Sequence, residues 1–187
     1  SVSSTATIKA YRYGGMVAGE SNGNMSEVSV TGSDVSSVSV FSLDFSIPTA
    51  VGGIAGSAKG GRIEQVYMGL AFSVGSVVTG SASTTQTVNY VGGLVGLIGS
   101  NSLIISQAVV EGDISASGSR LGGAIGRSEN ATSVTLDQIA IKSSSLAVGG
   151  ADAGAGEYNS SVYVGGLIGQ SGGYVEINNS YVPANIT

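Results

Sequence analysis

The chain of 187 residues has no cysteine, no histidine and no tryptophan. Without cysteine there are no disulfides and no thiolate metal sites. Without histidine there is no Ser-His-Asp triad and no imidazole-ligated metal. Charged residues make up only 10% of the chain, against about 25% in ordinary globular proteins. The seven basic residues, Lys9, Arg12, Lys59, Arg62, Arg120, Arg127 and Lys142, are scattered along it. They offer no phosphate track, so no nucleic-acid partner is expected. No apolar run approaches the ~18 residues of a membrane span. No window keeps apolar residues at helical spacing, because glycine interrupts every candidate. There is no initiator methionine and no signal peptide, which predicts a processed product or an excised fragment.

What is present is Gly, Ser, Thr, Asn and aliphatic residues. Hydrophobic residues reach 42% and glycines number 31. That aliphatic content, regularly placed, argues against disorder. One stretch recurs: Val91-Gly92-Gly93-Leu94-Val95-Gly96. Relatives of it begin at Tyr13-Gly14-Gly15, Val51-Gly52-Gly53, Leu121-Gly122-Gly123 and Val164-Gly165-Gly166. The first glycines fall at 14, 52, 92, 122 and 165, so the spacings are 38, 40, 30 and 43, with one residue inserted in the first copy. Such a period marks a repeat architecture. A glycine pair either takes positive φ or lets two backbones approach where a Cβ would clash.

A second motif follows each pair at offsets of 11, 11, 13, 14 and 12. Its copies start at Met25, Ile63, Ile105, Leu136 and Ile177, with apolar or small residues three and five positions on. This spacing predicts an apolar corner, a two-residue turn and then an alternating strand. Alternation before the pairs, as in Thr85–Val91 and Asn159–Val164, predicts a third strand per unit.

Units of 30–40 residues with three short strands predict an all-β fold, a parallel β-solenoid (β-helix) of about five coils. Right-handed winding follows from the crossover rule. Residues 1–187 form one domain on this reading, with units at 5–43, 44–84, 85–113, 114–156 and 157–187. The 30-residue third unit is the bare coil, and the others carry loop or side-strand insertions. Apolar ladders are expected along Val28, Val66, Ala108, Ile139, Ser180 and along Val30, Met68, Val110, Ile141, Val182. The structural repeat glycines are Gly14, Gly15, Gly52, Gly53, Gly92, Gly93, Gly122, Gly123, Gly165 and Gly166.

Gly92-Gly93-Leu94-Val95-Gly96 and Gly165-Gly166-Leu167-Ile168-Gly169 resemble the GLUG motif of bacterial surface and secreted proteins. The resemblance implies an extracellular, adhesin-like β-solenoid repeat. The motif carries no catalytic residues, so it transfers no site.

Few residues invite chemistry. Glu27, Glu64, Asp137 and Glu176 occupy or flank the turn of the second motif. Glu27 and Glu64 are read as sharing one position, giving a partial acidic column. Glu111-Gly112-Asp113, and Asp152 beside Gly149-Gly150, are faintly similar to calcium-binding Gly/Asp repeats, but the nonapeptide pattern does not recur. No catalytic, cofactor or metal residue is therefore assigned, and calcium is the one cofactor considered. Tyr67 with Tyr181, and Tyr90 with Tyr163, share outward positions that could face a ligand. The expected function is a non-enzymatic structural or adhesive solenoid outside the cell or on its surface. Its partners would be its own ends, flanking repeats, or surface glycans and proteins. The alternative is a carbohydrate-binding or carbohydrate-active β-helix, which needs carboxylates clustered on one face.

Overall fold

The computed structural model describes residues 2–3, 8–10, 12–32, 36–40, 49–74, 77–79, 84–86, 90–99, 101–117, 120–129, 133–149, 163–183 and 185–186. Among them there is no helix, and four parallel sheets wrap a common core. The chain visits the sheets in fixed order, so the fold is a parallel β-solenoid. The first sheet stacks Tyr13–Gly15, Ala50–Gly52, Tyr90–Gly92, Arg120–Gly122 and Tyr163–Gly165. The second stacks Ala18–Ser21, Ala55–Ala58, Val95–Ile98, Ile125–Ser128 and Ile168–Ser171. The third stacks Val2–Ser3, Met25–Thr31, Gly61–Met68, Leu103–Val110, Ser133–Ile141 and Tyr174–Asn178. The fourth stacks Ile8–Ala10, Ser36–Val40, Phe72–Val74, Ile114–Ser117, Ser145–Gly149 and Asn185–Ile186.

Each unit thus carries four strands, not three. The glycine motif, read as one short strand, is two strands joined by a two-residue bend. The rungs beginning at Ala50, Tyr90 and Arg120 are closed in from both sides, and their inward residues are buried. These make about three full turns, fewer than the five expected. The rung beginning at Tyr163 is an open end with half-buried inner residues, whereas the rung beginning at Tyr13 is covered in part by Val2–Ser3 and Ile8–Ala10. Tyr90 pairs with Arg120 across the bare 30-residue coil. The insertion after the second rung contains an antiparallel hairpin, Val77–Thr79 with Thr84–Gln86. Most of the Gly149–Gly156 insertion lies outside the described residues, as do Asp152 and residues 159–161.

The glycine motif works by close approach, and none of its described glycines has positive φ. A Cβ on Gly92 would lie 2.0 Å from the Val95 carbonyl oxygen of its own rung and 2.8 Å from that of Ala124 in the next rung. One on Gly93 would lie 2.0 Å from the Gly123 oxygen. One on Gly96 would lie 2.6 Å from the backbone nitrogen of Val51 in the preceding rung. The first and second sheets therefore meet backbone to backbone along three glycine columns. The bend stays hydrogen-bonded from rung to rung: Gly93 N donates to Gly122 O at 3.1 Å, and Leu94 N to Ala124 O at 2.9 Å. The same bonds hold the bends at Gly53-Ile54 and Gly123-Ala124, as a buried turn requires.

The first copy departs from the expected alignment. Gly14 pairs with Val51, and Gly15 pairs with Gly52. Gly14 therefore stands at the apolar position, Met16 stands where the second glycine would be, and no residue is inserted.

The second motif is one strand with a single kink. Glu27, Gln65, Gln107, Gln138 and Asn179 all have φ between 48° and 57°. Strict alternation would turn Ile63 inward and Val66 outward. The left-handed residue between them resets the parity, so both are buried. This explains the i, i+3, i+5 spacing. The expected ladders form: Val28, Val66, Ala108 and Ile139 stack in register, as do Val30, Met68, Val110 and Ile141. The bridge between Ala140 and Tyr181 carries Ser180 and Val182 into the same columns. Each Ile or Leu buried this way contributes roughly 1.5–3 kcal/mol.

Two substitution series test this architecture by urea or thermal unfolding. Gly93→Ala is expected to destabilise by about 3 kcal/mol or more, because its neighbour is carbonyl backbone that cannot give. Gly23→Ala, with nothing within 4 Å of the new Cβ, is expected to stay within about 0.5 kcal/mol of the parent. At Gln107, glycine is expected to be tolerated, whereas valine is expected to cost about 1–2 kcal/mol for its left-handed backbone.

Candidate functional site

The solenoid's outer surfaces hold the candidate residues. On the third sheet the register opposes Ser26, Glu64, Ser106, Asp137 and Asn178. Glu27 is not in that column, because it is the left-handed residue aligned with Gln65. Glu176 lies two residues off, beside Thr135. The expected acidic column therefore breaks up: Glu64 and Asp137 are separated by Ser106, and Arg62 Nη1 lies 3.3 Å from Glu64. Asn179 donates to Asp137 at 3.0 Å.

Glu111 and Asp113 do not converge on a cation. Glu111 accepts from the Tyr67 hydroxyl at 2.6 Å and lies 3.4 Å from Lys142 Nζ. Asp113 accepts from the Ser144 hydroxyl at 2.7 Å and the Ser145 amide at 2.9 Å, anchoring the next rung. Among the described residues no group of three or more acidic side chains is placed to hold a metal ion.

The tyrosine pairs divide. Tyr67 and Tyr181 occupy one column of the third sheet, separated by Val109 and Ala140. Tyr67 is committed to Glu111, whereas Tyr181 is 63% exposed. Tyr90 and Tyr163 occupy one column of the first sheet, Tyr13, Ala50, Tyr90, Arg120, Tyr163. Tyr90 does not face solvent: it is 5% exposed, in a small second core with Ala50 and Leu97, against which Tyr13 packs. Tyr163 is 41% exposed.

This second core arises from the glycine contact. Where the first and second sheets touch, the residues flanking the contact face each other diagonally. Gly126 abuts Val91, and Tyr90 meets Arg127, whose Nη1 donates to the Tyr90 hydroxyl. The Arg127 guanidinium lies 5.0 Å from the centre of the Tyr90 ring. The Arg120 guanidinium lies between two rings, 5.2 Å from Tyr90 and 5.6 Å from Tyr163. Arg12 lies 4.7 Å from the ring of Tyr13. Three of the four arginines thus gather on this edge against tyrosine. Along the sequence they are scattered. The signal was present, since Arg120 holds the same place before its glycine pair as Tyr90 and Tyr163.

The described residues contain no helix long and apolar enough to cross a membrane. Comparison with family models, curated proteins and solved structures returns no match for this chain.

The Tyr67–Glu111 bond gives a pH prediction. Tyr67 donation, followed by Lys142, holds the Glu111 carboxyl below its ordinary value. The same bond holds the Tyr67 hydroxyl above its own. A depressed carboxyl stabilises the fold above its unfolded pKa, and that contribution is lost as pH falls through the folded value. Tyr67→Phe is therefore expected to move the Glu111 midpoint upward in a carboxyl-detected NMR titration. An unchanged midpoint would show that the bond is not populated in solution.

Proposed function

We propose that this chain is a non-enzymatic structural or adhesive β-solenoid, displayed outside the cell, whose ends join copies of itself or further repeats. It would serve as a segment of a surface adhesin or as a subunit of a filament. One observation carries the reading. Six large hydrophobic residues are exposed among the described residues, and five of them lie in the last rung: Tyr163, Tyr174, Ile177, Tyr181 and Ile186. Tyr174, Ile177 and Tyr181 are 67%, 49% and 63% exposed. Two of these columns are sealed inside the stack: Leu136 and Ile105 precede Ile177, Leu146 precedes Ile186, and all three are fully buried. The last rung presents a fresh cross-section of the core bounded by strand edges, a surface suited to strand addition. The resemblance to GLUG repeats points to the same extracellular setting. The carbohydrate-active alternative gains no support from Glu64 and Asp137, which stand apart with a serine between them.

Light scattering and negative-stain microscopy across a concentration series test the proposal. Rods that lengthen with concentration are expected, and Ile177→Lys combined with Tyr181→Lys should raise the concentration needed for assembly about tenfold or more. A chain that stays monomeric at every concentration, with the variant behaving identically, would contradict it.

A further inference from the structure

We propose that the edge where the first and second sheets meet binds an acidic saccharide, with Arg120 and Arg127 taking its carboxylate and Tyr163 its ring face. Tyr163 and Gln170 belong to the last rung, so the site is open in a chain whose last rung is not covered by another copy.

The diagonal pairing across the glycine contact gives the argument. Going up the stack, Ala50 faces Leu97, an apolar pair that closes the second core. Next, Tyr90 faces Arg127 and is bonded to it. Then Gly169 abuts Leu121, which brings Arg120 opposite Gln170. At this level the pairing is incomplete. Arg120 Nε is a buried donor without an acceptor, and Gln170 Oε1 is a buried acceptor without a donor. Both orphaned groups belong to residues that flank the same glycine contact.

The charges are unbalanced there too. Two guanidiniums lie about one ring-width from the same tyrosine. The nearest carboxylate to Arg127 is Glu129 at 4.0 Å, too long for a good hydrogen bond. Tyrosine faces hold the two cations in place without neutralising them. Two fixed guanidiniums favour a planar carboxylate, which each can meet through paired N–H donors. Tyr163 stacks one side of its ring toward Arg120 and leaves 41% of its surface open as a platform for a sugar ring. A carboxylate beside a flat apolar face describes a uronic-type sugar better than a simple anion. The third and fourth sheets and their junction carry Glu27, Glu64, Glu111, Asp113, Asp137 and Glu176 against Arg62 and Lys142, whereas the first and second sheets and their flanks carry Arg12, Lys59, Arg120 and Arg127 against Glu20 and Glu129. An anionic ligand would thus be directed to this edge.

The test is an NMR titration that follows the arginine Nε–H and tyrosine ring resonances of the intact chain. The probes are tetragalacturonate, its fully methyl-esterified neutral form, and sodium sulfate. Tetragalacturonate is expected to shift the Arg120 and Arg127 Nε–H and the Tyr163 ring saturably, and the methyl ester to shift none of them. Arg120→Gln and Arg127→Gln should each weaken binding about tenfold or more. Tyr163→Ala, at an exposed ring, should weaken it without unfolding the chain. Arg62→Gln, on the far face, should leave it unchanged. Three results would overturn the proposal: no shift with tetragalacturonate, equal binding of sulfate, or affinity indifferent to both arginines and to Tyr163.

Discussion

The structure depends on one contact, the meeting of bare backbone with bare backbone along the glycine columns. The first and second sheets approach so closely that Gly92, Gly93 and Gly96 each leave no room for a Cβ. Packed sheets usually stand about 10 Å apart, with side chains between them. Here side chains are excluded, and the bend amides bond directly to the next rung. Each glycine touches the rung above or below as well as its own strand. The contact therefore fixes the corner and the stacking register together, and it explains why the motif must recur in every unit.

Two compartments follow from that contact. On one side lies the main core, filled in successive rungs by residues such as Val51, Val91 and Leu121, and Ile63, Ile105 and Leu136. On the other side, flanking residues of the two sheets meet in a shallow second cluster, whose centre is apolar and whose upper part is Tyr, Arg and Gln. The long third sheet would be out of phase with the main core if it alternated strictly. One left-handed residue per rung corrects its phase, at about 1 kcal/mol or more per position. The buried apolar columns on either side of that residue more than offset the cost.

Much of this was legible in the residues. The glycine pairs and the apolar ladders are periodic in the sequence, and both stack as their spacing implies. The fourth strand was not legible, because two strands joined by a two-residue bend look the same as one short strand in six residues. The first-rung register was hidden for a related reason. Gly14-Gly15 matches the motif as text, yet Gly15 alone fills the first glycine's place, and only pairing with Ala50–Gly52 shows it. The acidic column failed because Glu27 and Glu64 fall on either side of the boundary between an extended and a left-handed residue. The arginine–tyrosine edge was missed because its members come from different rungs and join diagonally across the glycine contact.

The central claim is that successive units stack in parallel and in register around these glycines. The cysteine-free chain allows a direct measurement by paired cysteine substitution and mild oxidation. Ser106 and Asp137 are register partners at outward positions of adjacent rungs. The account predicts that Ser106→Cys with Asp137→Cys forms an intramolecular disulfide readily, while Ser106→Cys with Thr135→Cys, two residues out of register, forms it poorly. Preferential crosslinking of the out-of-register pair, or equal yields from both, would contradict it.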